Sequence, residues 1–240
     1  MRTVLIVKMG TTLPSLAKRR GDFDDWIKAP LDLDPDRIRV VKTYEGEELP
    51  DPQQLSGIVI TGSHTMVTDR EDWSEHTAAW LPWVVNSGTP LLGICYGHQL
   101  LAHAMGGQVG PNPLGSEFGT VEVQLSEHAA RDLLFEGFSP IMRVHASHTQ
   151  SVLALPPGAT LLASNAKDTH HAFSIGDAAW GVQFHPEFDA DIMGTYVREC
   201  SEDLQAEGLD PAGLIEKIEN THYGDDLLRR FGKIVKESDG

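Results

Sequence analysis

The chain has 240 residues with 40% hydrophobic content, enough to bury a substantial core, and its 19 Lys and Arg against 35 Asp and Glu leave a net charge of −16. That balance repels a phosphate backbone and excludes nucleic acid as a partner. Two distant cysteines, Cys95 and Cys200, with no C-x-x-C spacing, exclude a disulfide framework and a thiolate zinc site, and no run approaches the ~20 apolar residues of a membrane span. A cytoplasmic protein is expected.

In chain order, short apolar runs over 4–7, 38–41, 57–61 and 90–94 read as strands. They alternate with helix-like spacing over 13–26, 73–85 and 99–105. The strand runs are continuously apolar rather than alternating, which predicts burial on both faces. The expected fold is therefore a three-layer α/β/α arrangement around a mostly parallel central sheet. Beyond residue 119 the rhythm changes. Strands are expected over 120–125, 141–145, 160–163, 171–175 and 179–184, with turns at Pro156-Pro157-Gly158 and Gly176-Asp177, as antiparallel additions or an extension of the main sheet. Helices over 189–205 and 225–236 follow, separated by breaks at 208–213 and 224. No linker or repeat divides the chain, so 1–240 reads as one domain, with a core over about 1–190 and a C-terminal helical extension over about 189–240.

The chemistry is concentrated at Gly93-Ile94-Cys95-Tyr96-Gly97-His98-Gln99. A cysteine between two glycines, after a strand and before a helix, sits on a sharp turn that presents its side chain above the sheet. The positive end of the following helix favours the reactive, anionic form of sulfur. Such a nucleophile needs a base. Gly181-Val182-Gln183-Phe184-His185-Pro186-Glu187 supplies one, because extended residues two apart face the same way and Glu187 can orient His185. The turn Thr61-Gly62-Ser63 closes a strand with a backbone amide suited to an oxyanion, and the amide of Tyr96 is the second donor expected of an elbow. Neither His98, His103 nor His170-His171 has metal-ligand spacing, Cys200 reads as a packed small residue, and Trp73, Trp80 and Trp83 read as packing aromatics.

Together, the segments at 93–99 and 181–187 closely resemble the class I, or triad-type, glutamine amidotransferases, nearest to the GMP-synthase-like subgroup. The likeness spans roughly residues 57–188 and takes in Thr61-Gly62-Ser63 and Ser147-His148. It implies a flavodoxin-like fold with no cofactor and a catalytic triad of Cys95, His185 and Glu187 that releases ammonia from glutamine through a γ-glutamyl thioester. It also implies an oxyanion hole at Gly62 and Tyr96 and substrate contacts from Gln99, Ser147 and His148. Two departures stand out. Gln150 occupies the place where the subgroup usually has Asp after Ser-His, and Gly62-Ser63-His64 replaces the commoner Gly-Gly-Pro. About fifty residues follow Glu187, so the resemblance puts any ammonia acceptor on a separate synthetase subunit. Two substrate readings stay open: glutamine on behalf of such a synthetase, or a γ-glutamyl peptide or conjugate cleaved by the same triad. The intact Cys, His and Glu argue against a third, a non-catalytic regulatory protein.

Overall fold

A computed structural model describes residues 2–239. The first half lays down β1 (Thr3–Lys8), α1 (Pro14–Arg20), α2 (Phe23–Leu31), β2 (Ile38–Lys42), β3 (Leu55–Ile60), α3 (Asp72–Ser87), β4 (Leu91–Ile94) and α4 (Tyr96–Ala104). The strand-rich half follows with β5 (Gln108–Pro111), β6 (Glu117–Leu125), β7 (Ile141–His148), β8 (Gln150–Ala154), β9 (Ala159–Ser164), β10 (Ala172–Ile175) and β11 (Ala179–Val182). The chain closes with α5 (Ala190–Glu199), α6 (Ser201–Ala206), α7 (Pro211–Glu216) and α8 (Tyr223–Ser238).

Nine strands form one sheet in the order β2-β1-β3-β4-β11-β10-β9-β6-β7, and β5 pairs with β8 apart from it. The strands from β2 through β11 run parallel; β10, β9, β6 and β7 continue the sheet antiparallel. The mostly parallel sheet and its antiparallel extension thus form one structure. Alternation along β1 explains the layers. Val4 and Ile6 join a core with Ile27 and Leu31 of α2 and Phe231 of α8, while Leu5 and Val7 join the opposite core with Leu81 of α3 and Leu100 of α4. Each such side chain contributes roughly 1.5–3 kcal/mol on burial. A third cluster unites Leu16, Phe23 and Trp26 with Phe188, Met193, Tyr196 and Leu204, and it stands beside the C-terminal ends of the parallel strands.

Several expected boundaries shift. The single helix expected over 13–26 is two helices, because Gly21 turns at φ 82° and Asp22 starts α2 afresh with a capping box to Asp25. The helix expected over 189–205 bends at Cys200, where neither Gly nor Pro signals a break, and the bend brings Leu204 into the third cluster. Pro211, read as a breaker, instead opens α7 at a first-turn position where its missing N–H costs nothing. The strands β5 and β8 fall in segments read as connections, since each is short and only half buried. Trp83 does not pack but is 46% exposed. The C-terminal α8 lies on the α2 face of the sheet. Among the described residues no helix is long and apolar enough to cross a membrane.

The turn from β4 to α4 depends on two close approaches. A Cβ on Gly93 would lie 2.5 Å from the carbonyl oxygen of Gly97, and one on Gly97 would lie 2.6 Å from that of Ile60. Gly97→Ala is therefore expected to destabilise the fold by about 3 kcal/mol, as overpacking against backbone does, and to displace the cysteine. Urea denaturation measures the loss, and a change below about 0.5 kcal/mol would show that the helix can shift to accept the methyl group.

Candidate active site

Cys95 occupies the junction of β4 and α4 with φ 50° and ψ −97°, a conformation that costs a non-glycine residue about 1–3 kcal/mol. Its amide donates to Val182 O of β11 at 2.8 Å and its carbonyl accepts from Gln99 N of α4 at 3.0 Å, so sheet and helix together impose the strain. The result holds Sγ above the strand ends, 3.9 Å from Ser147 O.

The next parallel strand brings the candidate base. After β11 the chain continues through Gln183 and Phe184, and His185 N is tied to His145 O of β7 at 2.8 Å. His185 Nδ1 lies 2.8 Å from Glu187 Oε1, so Nε2 is the ring nitrogen not engaged by that carboxylate. Phe188 stacks on the imidazole at 4.1 Å between ring centroids. Burial disfavours the imidazolium, but Glu187 and Cys95 outweigh it and push His185 up to about 10. A protonated His185 therefore stands between the Cys95 sulfur and the Glu187 carboxylate.

The structure also locates the other residues singled out by sequence. Gly62 follows β3 directly over this pair: a Cβ there would lie 3.0 Å from His185 Cε1 and 3.9 Å from Cys95 Cβ. Tyr96 turns its ring away into α3, where its hydroxyl meets Ser74 Oγ at 2.6 Å and Trp73 stacks on it, so only its backbone faces the site. Burial pushes the Tyr96 phenol up to about 12, far from any role as an acid at neutral pH. Gln99 uses its amide nitrogen on Gln150 O at 2.8 Å and Gln183 Oε1 at 3.0 Å. Both nitrogens of His148 are engaged, Nδ1 with Gln150 O at 3.0 Å and Nε2 with Glu117 Oε2 at 3.1 Å.

Glu117 is a residue that sequence spacing did not single out. Its Oε2 receives both His148 Nε2 and, at 2.8 Å, His171 Nε2, while Asn165 donates to Oε1 at 2.8 Å. Burial opposes ionisation of Glu117, yet the two imidazoles hold its carboxyl well below the usual carboxylate range. Among the described residues these are the three whose ligand-type atoms come within 4.8 Å of one another, a grouping invisible in sequence because they come from β6, β7 and the approach to β10. The separations from the shared oxygen, 2.8 and 3.1 Å, are those of hydrogen bonds. Two histidines of α4 stand apart from this cluster. His98 is fully buried against Phe173, with burial pushing it down to about 3, and His103 meets Glu75 at 3.1 Å near the surface.

A cavity of about 460 Å³ opens above Cys95. Besides Cys95 and His185 it is lined by His64 of the loop after β3, Phe23 of α2, Tyr196 of α5 and Leu204 of α6. Cys200, expected only to pack, also borders it. Tyr196 and Leu204 carried no signal in the sequence beyond helical spacing.

A strained cysteine on a strand–helix elbow, with an imidazole and a carboxylate in line beside it at the ends of a parallel sheet, is the arrangement of an acyl-transfer enzyme. The family described as glutamine amidotransferase class-I matches residues 36–200, and the chain belongs to that family. One of the subunits of the glutamine-hydrolysing GMP synthase of Methanoregula boonei is 33% identical over 181 residues, covering 75% of this chain and 90% of that one. The glutamine-hydrolysing GMP synthase of Aeropyrum pernix is 37% identical over 142 residues, 59% of this chain; the matched part is only 25% of that longer relative's length. In fold, a glutamine amidotransferase from Thermotoga maritima superposes with a TM-score of 0.74 at 22% identity over 98% of this chain and 99% of its own. One from Methylobacillus flagellatus gives 0.73 at 23% identity, covering 99% of this chain and 94% of that one.

Proposed function

We propose that the protein hydrolyses the γ-carboxamide of glutamine and releases ammonia for a separate synthetase subunit. The observation that carries this reading is the Cys95–His185–Glu187 constellation, with a buried imidazole held protonated between a thiol and a carboxylate. In this reading Cys95 attacks the carboxamide carbon, and the amides of Gly62 and Tyr96 receive the developing oxyanion. His185 passes its proton to the departing nitrogen, leaving a γ-glutamyl thioester. Water, deprotonated by His185, then cleaves the thioester to glutamate. Glu187 keeps the imidazole in one tautomer and stabilises its charge throughout. Gln99 and the Ser147-His148 segment shape the substrate wall, Ser147 through its carbonyl near Sγ and His148 through the strand-end geometry that Glu117 enforces.

One observation favours the second reading, a γ-glutamyl peptide or conjugate as substrate. The cavity continues past Cys95 to α6, giving room for more than a terminal amide nitrogen. Purified protein incubated separately with glutamine and with a γ-glutamyl dipeptide decides between the two. The first reading expects ammonia and glutamate from glutamine at least about tenfold faster, in kcat/KM, than amino acid release from the dipeptide. The reverse ratio establishes the conjugate hydrolase, and protein that turns over neither compound and whose Cys95 is not alkylated by a glutamine diazoketone rejects both.

A further inference from the structure

The loop over 61–65, which carries Gly62, departs from the Gly-Gly-Pro commoner in the subgroup it resembles, and the residues that replace it are tied down within the chain. Thr61 N donates to Val7 O of β1 at 3.1 Å, and Thr61 Oγ1 accepts from Met9 N at 3.0 Å. Ser63 lies so close to Gly10 that a Cβ on Gly10 would be 2.8 Å from Ser63 Oγ, and that oxygen accepts from Thr65 N at 3.2 Å. These contacts hold the near side of the loop.

The far side is held by His64. Its ring stacks on Tyr196 of α5 at 5.7 Å between centroids and 20° between planes, with Nε2 3.3 Å from the Tyr196 hydroxyl. That hydroxyl lies 2.9 Å from Thr12 Oγ1. Burial, with help from the positive charge of His185, pushes His64 down, so its ring is neutral and its Nε2 can accept. The geometry fits a directional chain in which the Thr12 hydroxyl donates to the Tyr196 oxygen and Tyr196 donates to His64 Nε2. Tyr196 and Thr12 are both less than a tenth exposed, and α5 is anchored by the third cluster and capped by Asp189, which accepts from Ile192 N at 2.8 Å. The same helix starts two residues after Phe188, the ring that stacks on His185. Loop and base are therefore referenced to one rigid element.

We propose that His64, Tyr196 and Thr12 are positioning residues that hold the Gly62 loop over Cys95, and that the site consequently turns over its amide substrate without a synthetase subunit. This rests on the hydrolase reading above and adds to it how the site is controlled: the order another chain would have to impose is built into this one. A misplaced oxyanion donor lowers the rate of the chemical step and leaves ground-state binding largely intact.

The test uses the purified protein, glutamine and the γ-glutamyl dipeptide as substrates, and a glutamine diazoketone that alkylates a reactive active-site thiol. The wild type is expected to turn over one of the two substrates with no second protein present. Tyr196→Phe and Thr12→Val are expected to lower kcat about 10- to 100-fold with KM changed less than about threefold, whereas Thr12→Ser, which keeps the hydroxyl, retains kcat. Circular dichroism and thermal midpoints establish that each variant is folded. His64→Ala, which deletes a side chain outside the three core clusters and so places little burden on the core, gives the same kcat loss where a core variant fails to fold. Wild-type kcat in all folded variants overturns the proposal and leaves the hydrolase reading standing. So does a wild-type chain whose Cys95 is labelled by the diazoketone but which turns over neither substrate alone. A folded wild type that neither labels nor turns over sinks the hydrolase reading itself.

Discussion

Cys95→Ala is expected to lower ammonia release from glutamine by about 10⁴-fold or more, because the pathway through a covalent acyl-enzyme is removed and only oxyanion donors and binding remain. The variant should stay folded, since alanine fills most of the same small space. Mass spectrometry of protein quenched during turnover provides the companion measurement. The wild type should carry an added γ-glutamyl group on the peptide containing Cys95, and the alanine variant none. Ammonia release by Cys95→Ala within about tenfold of wild type would show that the thiol is not the nucleophile. The backbone at position 95 adds a second expectation. Cys95→Gly is equally inactive, yet glycine adopts φ 50° freely, so its unfolding free energy should match or exceed that of Cys95→Ala by about 1 kcal/mol. Strain kept at a position where only the reactive side chain gains from it marks a functional site.

The second large effect belongs to the carboxylate behind the base. Glu187→Gln keeps the shape of the residue, but it removes the negative charge that sits 2.8 Å from His185 Nδ1 and can present an amide N–H there instead. Loss of the correct tautomer and of imidazolium stabilisation should lower kcat by about 10³- to 10⁴-fold, measured by ammonia release at saturating glutamine. The pH dependence of stability carries the same signature. His185 is raised from 6.5 to about 10 in the folded protein, with burial opposing and Glu187 and Cys95 favouring the charge. A raised histidine contributes stability that is fully present below the unfolded value of 6.5 and is lost as pH rises through about 10. The thermal midpoint of the wild type should therefore exceed that of Glu187→Gln most clearly near pH 6, and the gap should narrow between pH 7 and pH 10. A gap independent of pH across that window would mean that Glu187 acts by packing alone.

Much of the site is legible in sequence because its strongest elements are local. The elbow at 93–97 is written in two glycines flanking a cysteine, and the reason is steric: both positions lie within 2.6 Å of backbone oxygens once a Cβ is added. His185 and Glu187 are two apart in extended backbone, so their common direction follows from strand geometry, and Nδ1 does meet Oε1. The layered parallel sheet was equally readable, since continuous apolar runs need cover on both faces. Other features left no local trace. The bend at Cys200 has no glycine or proline, and β5 and β8 are short strands whose pairing partners lie far along the chain.

Sequence by itself marked out the proposed chemistry: a candidate nucleophile, a candidate base and that base's partner, each specified by residue type within a few positions of a strand end. The tertiary structure decided how that chemistry is housed. Only folding joins Thr12 to Tyr196 across 184 residues, or Glu117 to His171 across 54. The physical reason is that periodicity and turn residues report on torsions and burial along a few residues. A buried hydrogen bond between distant elements depends on helices and strands being packed in register to within a few tenths of an ångström.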